Sequence, residues 1–124
     1  MAATVPTVVV VEDDAGMRSA VARMLGIAGF RVEAFASTED CLASGVAASA
    51  GCFVCDVHLP GASGFALCHR LAQAGSTAPV IFITAHDSPA ARDEARRLGA
   101  NAYLSKPFEG RVLIDAVRDA TRSP

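Results

Sequence analysis

Glu12, Asp13 and Asp14 set three carboxyl groups in a row directly after an apolar run, and Asp56 ends another such run. Thr84 and Lys106 add a hydroxyl and an ammonium, each behind a stretch of its own. Carboxylates brought together repel and raise one another's pKa unless a cation neutralises them. Oxygen-only ligands in a partly hydrated pocket suit Mg2+. With that ion and Lys106 cancelling charge, and Thr84 donating a hydrogen bond, such a set can receive a phosphoryl group. An ionised Asp is then a competent nucleophile, forming an acyl phosphate. Catalysis of this kind is mostly positioning and electrostatic stabilisation.

These side chains lie far apart in the chain, so the elements between them must bring them together. Residues 7–11 form an apolar β-branched run and predict a buried strand. From Ala15 the pattern turns helical, with Met17, Val21, Met24, Leu25 and Ala28 inward, Arg18 and Arg23 outside, and Gly29 closing. Residues 30–35 alternate as a second strand, and Ser37 caps a second helix that opens with Glu39 and Asp40. Strand three covers residues 52–55 and ends at Asp56; Leu59, Pro60 and Gly61 then break the chain. Ser63 starts a helix running to Gly75, residues 79–84 make strand four, and Ser88 with Pro89 opens the fourth helix. Residues 102–104 are a short fifth strand, and the last helix runs from Glu109 to about Arg122.

Strict alternation of this kind predicts a doubly wound (βα)5 domain, an α/β fold with a five-stranded parallel sheet covered by helices on both faces. Nearly all-apolar strands fit a sheet buried on both sides. In such sheets ligands bind outside the carboxyl ends of the strands, where the strand order reverses. Glu12, Asp13, Asp56, Thr84 and Lys106 all follow or end strands, so all fall at that edge. No glycine-rich phosphate loop follows the first strand.

Bulk properties narrow the choice further. The 124 residues suit one domain spanning 1–124. A hydrophobic share of 52% against 19% charged residues fits a compact fold. A net charge of −2, one Tyr and no Trp do not favour a nucleic-acid partner. No apolar run reaches membrane-spanning length, residues 1–7 lack the features of a secretory signal, and the expected address is cytoplasmic. Cys52 and Cys55 spell C-x-x-C, but they fall in a strand, where positions three apart face opposite ways and cannot share a metal. All four cysteines are expected to be small buried apolar residues.

Four blocks carry a family resemblance: Glu12-Asp13-Asp14, Asp56 through Gly64, Ile83-Thr84-Ala85-His86 and Ser105-Lys106-Pro107-Phe108. In order and spacing they resemble the signature blocks of CheY-like response-regulator receiver domains, and among these the receivers of FixJ-type two-component regulators. The resemblance covers essentially the whole chain and implies the strand order 2-1-3-4-5, the order shared by flavodoxin and CheY. It implies that Asp56 is the phosphoacceptor, taking its phosphoryl group from a sensor histidine kinase. Glu12, Asp13, Asp56 and the backbone carbonyl of His58 would hold Mg2+, and Lys106 would pair with the phosphate across a cis bond to Pro107. Thr84 and Tyr103 would be the switch pair. Phosphorylation would then repack the face made by the fourth helix, fifth strand and last helix, for a partner or a homodimer. The resemblance suits either a free-standing receiver or the front of a longer regulator with an output domain downstream.

Other readings compete at single residues and for the whole chain. Asp14 suits the first helix's N-terminus through the helix dipole. His58 and His86 divide between tuning the pocket and lying solvated in loops, while His69 suits a solvated helix face. Arg92, Arg96 and Arg97 suit a solvated face before a partner surface. Tyr103 is expected to use its hydroxyl. The enzyme alternative, a phosphatase of haloacid-dehalogenase type, wants an Asp two residues after the nucleophile, where His58 stands. A receiver-shaped scaffold that is never phosphorylated would not need the set Asp13, Asp56, Thr84 and Lys106.

Overall fold

The structure, a computed structural model, describes residues 5–122. Five strands, β1 (Thr7–Val11), β2 (Arg31–Phe35), β3 (Cys52–Asp56), β4 (Val80–Thr84) and β5 (Ala102–Ser105), form one parallel sheet in the order 2-1-3-4-5. Five helices alternate with them: α1 (Ala15–Ile27), α2 (Thr38–Ser44), α3 (Gly64–Gln73), α4 (Pro89–Arg97) and α5 (Gly110–Thr121). Both the alternation and the strand order agree with the sequence reading.

Strand periodicity divides the core into two layers. Val8, Val10, Cys52, Val54, Ile81 and Ile83 point to one face, where Val21 and Leu25 of α1 and Leu113 and Val117 of α5 cover them. Val9, Val11, Phe53, Cys55 and Phe82 point to the other, against Cys41 of α2, Leu67, Cys68 and Leu71 of α3 and Ala95 of α4. Every residue of β3 and β4 is buried. Full burial of a Val, Leu, Ile or Phe side chain is worth about 1.5–3 kcal/mol, so these two central strands anchor the fold. Cys52 and Cys55 lie in opposite layers, as strand alternation requires. All four thiols are free and buried.

Caps set where the helices begin. Asp14, Ser37, Ser63 and Ser88 each accept a backbone N–H three residues on with their side chains. Glu109 precedes α5 without a side-chain cap bond. The strand limits differ by a residue or so from the sequence reading. β4 starts at Val80, and Pro79, which has no N–H to donate, contributes its carbonyl to Phe53 N. One element was not anticipated, a short 3-10 helix at Val46–Ser49 that leads into β3.

Register delivers the edge. Val11 pairs with Cys55, so Glu12 and Asp56 leave the sheet side by side. Asp56 pairs with Ile83, one residue before Thr84, and Thr84 pairs with Ser105, one residue before Lys106.

Candidate functional site

At that edge the acids converge on one cation. Lys106 Nζ donates to Glu12 Oε1 at 2.6 Å and to Asp56 Oδ2 at 2.8 Å. The lysine side chain is only 13% exposed and the two carboxylates less. Burial alone would lower the Lys106 pKa, but hydrogen bonds to Asp56 and Glu12 outweigh it and raise the pKa. For Glu12, burial dominates and raises the carboxyl pKa against the opposing pull of Lys106, with the Asp56 charge adding to the rise. The pocket therefore holds more negative charge than one ammonium balances.

Glu12, Asp13 and Asp56 each offer a ligand oxygen, and these lie within 4.8 Å of one another. Hard oxygen donors, two of them buried beside the exposed Asp13, fit Mg2+, and the uncompensated charge gives such an ion a reason to bind. The acidic cluster could thus hold a metal.

Backbone contacts hold these groups in place. Asp14 N donates to Glu12 Oε2 at 3.1 Å, while the Asp14 carboxylate caps α1 by accepting from Met17 N at 2.7 Å. Arg18, read as an outward residue, instead folds back over the loop: its guanidinium donates to the Glu12 carbonyl at 3.0 Å and the Asp13 carbonyl at 3.4 Å. Helix periodicity could not announce this contact, because the carbonyls lie six and five residues back, before α1 begins. Gly64 is required by closeness rather than by a turn: a Cβ there would stand 2.2 Å from the Asp56 carbonyl oxygen. The Lys106–Pro107 peptide is cis.

The remaining predicted residues surround this centre. His58 N donates to Asp56 Oδ1 at 2.9 Å, and His86 N donates to Thr84 Oγ1 at 3.0 Å. The two imidazoles, both on exposed residues, meet edge to face with centroids 5.1 Å apart. Thr84 is fully buried. Tyr103 stands apart from the carboxylates, in a groove of about 340 Å³ with Asp87, Arg92 and Arg96. Its hydroxyl is buried beside the Asp87 carboxylate, without a hydrogen bond of good geometry among the described residues. Burial first, then the Asp87 carboxylate nearby, raises the phenol's pKa. Arg92 is not merely solvated: its Nε donates to Asp87 Oδ1 at 2.9 Å and its terminal nitrogen pairs with the other oxygen. Arg96 and Arg97 pair with Asp93 and Glu94 on the exposed face of α4. No described helix is long and apolar enough to cross a membrane.

An acidic edge on a parallel sheet of order 2-1-3-4-5 defines a CheY-like domain of the flavodoxin type. The chain belongs to the response regulator receiver domain family, whose profile matches residues 8–118. Nodulation protein W of Bradyrhizobium diazoefficiens is 40% identical over 120 residues, covering 97% of this chain and 53% of that protein. The transcriptional regulatory protein FixJ of Azorhizobium caulinodans is 38% identical over 109 residues, covering 88% of this chain and 52% of that protein. The chain thus spans about half the length of these curated relatives. Among solved structures, FixJ-N superposes with a TM-score of 0.86 at 34% identity, covering 96% of this chain and 95% of that one. The BeF3-activated DrrB receiver domain gives 0.85 at 27%, covering 94% and 97%. Receiver domains of response regulators are signalling modules that pair with sensor kinases and output domains.

Proposed function

We propose that this protein is a two-component receiver that accepts a phosphoryl group on Asp56 from a sensor histidine kinase. The observation carrying the proposal is the convergence of Glu12, Asp56 and Lys106 at one sheet edge, with Lys106 Nζ 2.8 Å from Asp56 Oδ2. An Asp56 carboxylate oxygen forms the bond to phosphorus as the bond from phosphorus to the donor's imidazole nitrogen breaks. The electron pair leaves with the imidazole, which takes up a proton. Lys106 is placed to meet charge on the transferred group. Glu12, Asp13, Asp56 and the His58 carbonyl would hold Mg2+, which supplies further charge neutralisation when bound.

Thr84 and Tyr103 make a reasonable switch pair because they share a sheet face. Tyr103 pairs with Phe82, two residues before Thr84 on the neighbouring strand. The Tyr103 ring borders a groove that gives it room to turn. Movement of this pair would reshape the face of α4, β5 and α5, for an output domain or a second copy. Residues 1–124 form the receiver module of a cytoplasmic regulator, and the domain transfers phosphate only to itself and on to water.

The test is incubation with Mg2+ and a small phosphodonor, followed by intact-mass measurement on the parent and on Asp56→Asn. Phosphate mass on the parent alone is expected. An unlabelled parent, or equal labelling of the variant, overturns the reading. Rapid turnover of unrelated phosphate esters would favour the phosphatase instead.

A further inference from the structure

Between Asp56 and α3 runs a loop of residues 57–63 that includes His58, whose carbonyl is the proposed fourth metal ligand. The ends of this loop are held by its own neighbourhood: Val57 N donates to Ile83 O, and Gly64 N donates to Val57 O, both at 3.0 Å. Near its α3 end, at Ala62, the loop is also held from α2, an element that contributes no acid to the site. Thr38 Oγ1 donates to the Ala62 carbonyl at 3.0 Å, and Ala62 N donates to Glu39 Oε2 at 3.1 Å. Both polar groups of one residue are thereby fixed by two consecutive side chains at the start of one helix.

Three further observations separate this clamp from an incidental surface contact. Thr38 is 0% exposed, so its hydroxyl is committed to Ala62 without competition from water. The Glu39 carboxylate lies against Gly61, where a Cβ would come within 3.1 Å of both its oxygens; Gly61 also has φ +76°. Hydrogen bonds from its own backbone N–H and then from Ala62 hold the Glu39 carboxyl below the usual range. A single bond would suffice to dock the loop. Holding donor and acceptor together fixes its orientation as well, and Leu59, buried in the core layer under α2 and α3, fixes its depth.

We propose that Thr38 and Glu39 are positioning residues for the metal-dependent phosphoacceptor site, setting the loop that presents the His58 carbonyl. The proposal rests on the reading of Asp56 and Mg2+ given above. It makes the placement of α2 a determinant of Mg2+ affinity although, among the described residues, the candidate ligand carboxylates are Glu12, Asp13 and Asp56, none of them on α2.

The experiment is titration of the whole chain with Mg2+ by calorimetry, alongside labelling rates from a small phosphodonor at limiting and saturating Mg2+. Thr38→Val and Glu39→Ala are each expected to weaken Mg2+ binding about fivefold, the equivalent of one ordinary hydrogen bond. Their labelling rates at saturating Mg2+ should match the parent. Thr38→Ser and Glu39→Gln, which keep a hydroxyl donor and a carbonyl acceptor, should bind Mg2+ like the parent. Thermal midpoints distinguish this from plain destabilisation, and the exposed Glu39 pair remains informative if Thr38→Val folds poorly. Parent-like Mg2+ affinity in Thr38→Val and Glu39→Ala overturns the inference, as does equal weakening in the conservative variants. A parent that labels on Asp56 while these variants bind normally sinks only the clamp. A parent that neither binds Mg2+ nor labels sinks the underlying reading and the clamp with it.

Discussion

Lys106 Nζ lies 2.6 Å from Glu12 Oε1 across 94 positions of sequence. The same ammonium reaches Asp56, so a single cation stands between two buried acids. It offsets part of the negative charge that would otherwise attract a divalent ion to Glu12, Asp13 and Asp56.

Lys106→Met should therefore bind Mg2+ severalfold more tightly than the parent while accepting phosphate more slowly. Without divalent ions the substitution leaves two buried carboxylates uncompensated, at a cost of about 3 kcal/mol. The folded pKa of Lys106 is raised above 10.5, so its contribution is complete below that value and is lost as pH climbs through the folded value. Urea denaturation of parent and variant should show a constant difference from neutral pH to about 10, shrinking at higher pH. A difference that persisted undiminished as pH climbed through the folded Lys106 value, with Mg2+ binding unchanged, would contradict this account.

Gly64→Ala tests the packing beneath the nucleophile. Its Cβ would meet the Asp56 carbonyl oxygen at 2.2 Å, a backbone group that cannot swing aside. We expect a loss of about 3 kcal/mol, together with slower labelling as Asp56 is displaced. Chemical denaturation measures the first and intact mass the second; a variant as stable as the parent would show that the loop yields freely.

Tyr103→Phe removes a buried hydroxyl that has no partner. The unphosphorylated protein should be unchanged or more stable by up to about 1 kcal/mol, because a desolvated group is deleted and no bond is lost. Labelling of Asp56 should persist. A clear loss of thermal stability would mean that the hydroxyl has a partner in solution.

Alkylation reports on the four thiols. Burial pushes the Cys41 pKa up to about 11 and the Cys52 pKa up to about 12, and raises those of Cys55 and Cys68 as well. Since the thiolate is the nucleophile, iodoacetamide near pH 8 should leave the native protein unmodified and label all four positions in denaturant. Rapid native labelling of one cysteine would place it outside the core.

The sheet and its acidic edge were legible because apolar runs followed by acids, a hydroxyl and a lysine imply strand ends, and parallel strands share one functional edge. Less was legible where the partner is distant or the residues are small. Val46–Ser49 has no periodicity to mark its 3-10 turn. The Thr38 and Glu39 bonds to Ala62 span 24 and 23 positions, and nothing local to Thr38 announces them. Tyr103 was legible as a residue of β5, but not the groove that Asp87, Arg92 and Arg96 form beside it.

β5 is late in the chain and last in the sheet, pairing only with β4. Glu12 and Asp56 meet through the pairing of β1 with β3, whereas their counter-ion comes from the residue that follows β5. Closing that contact waits on the most remote stretch of sequence, the kind of pairing that is slowest to form. The pocket is thus a record of a finished sheet: the two acids acquire their counter-ion only once β5 has taken its place.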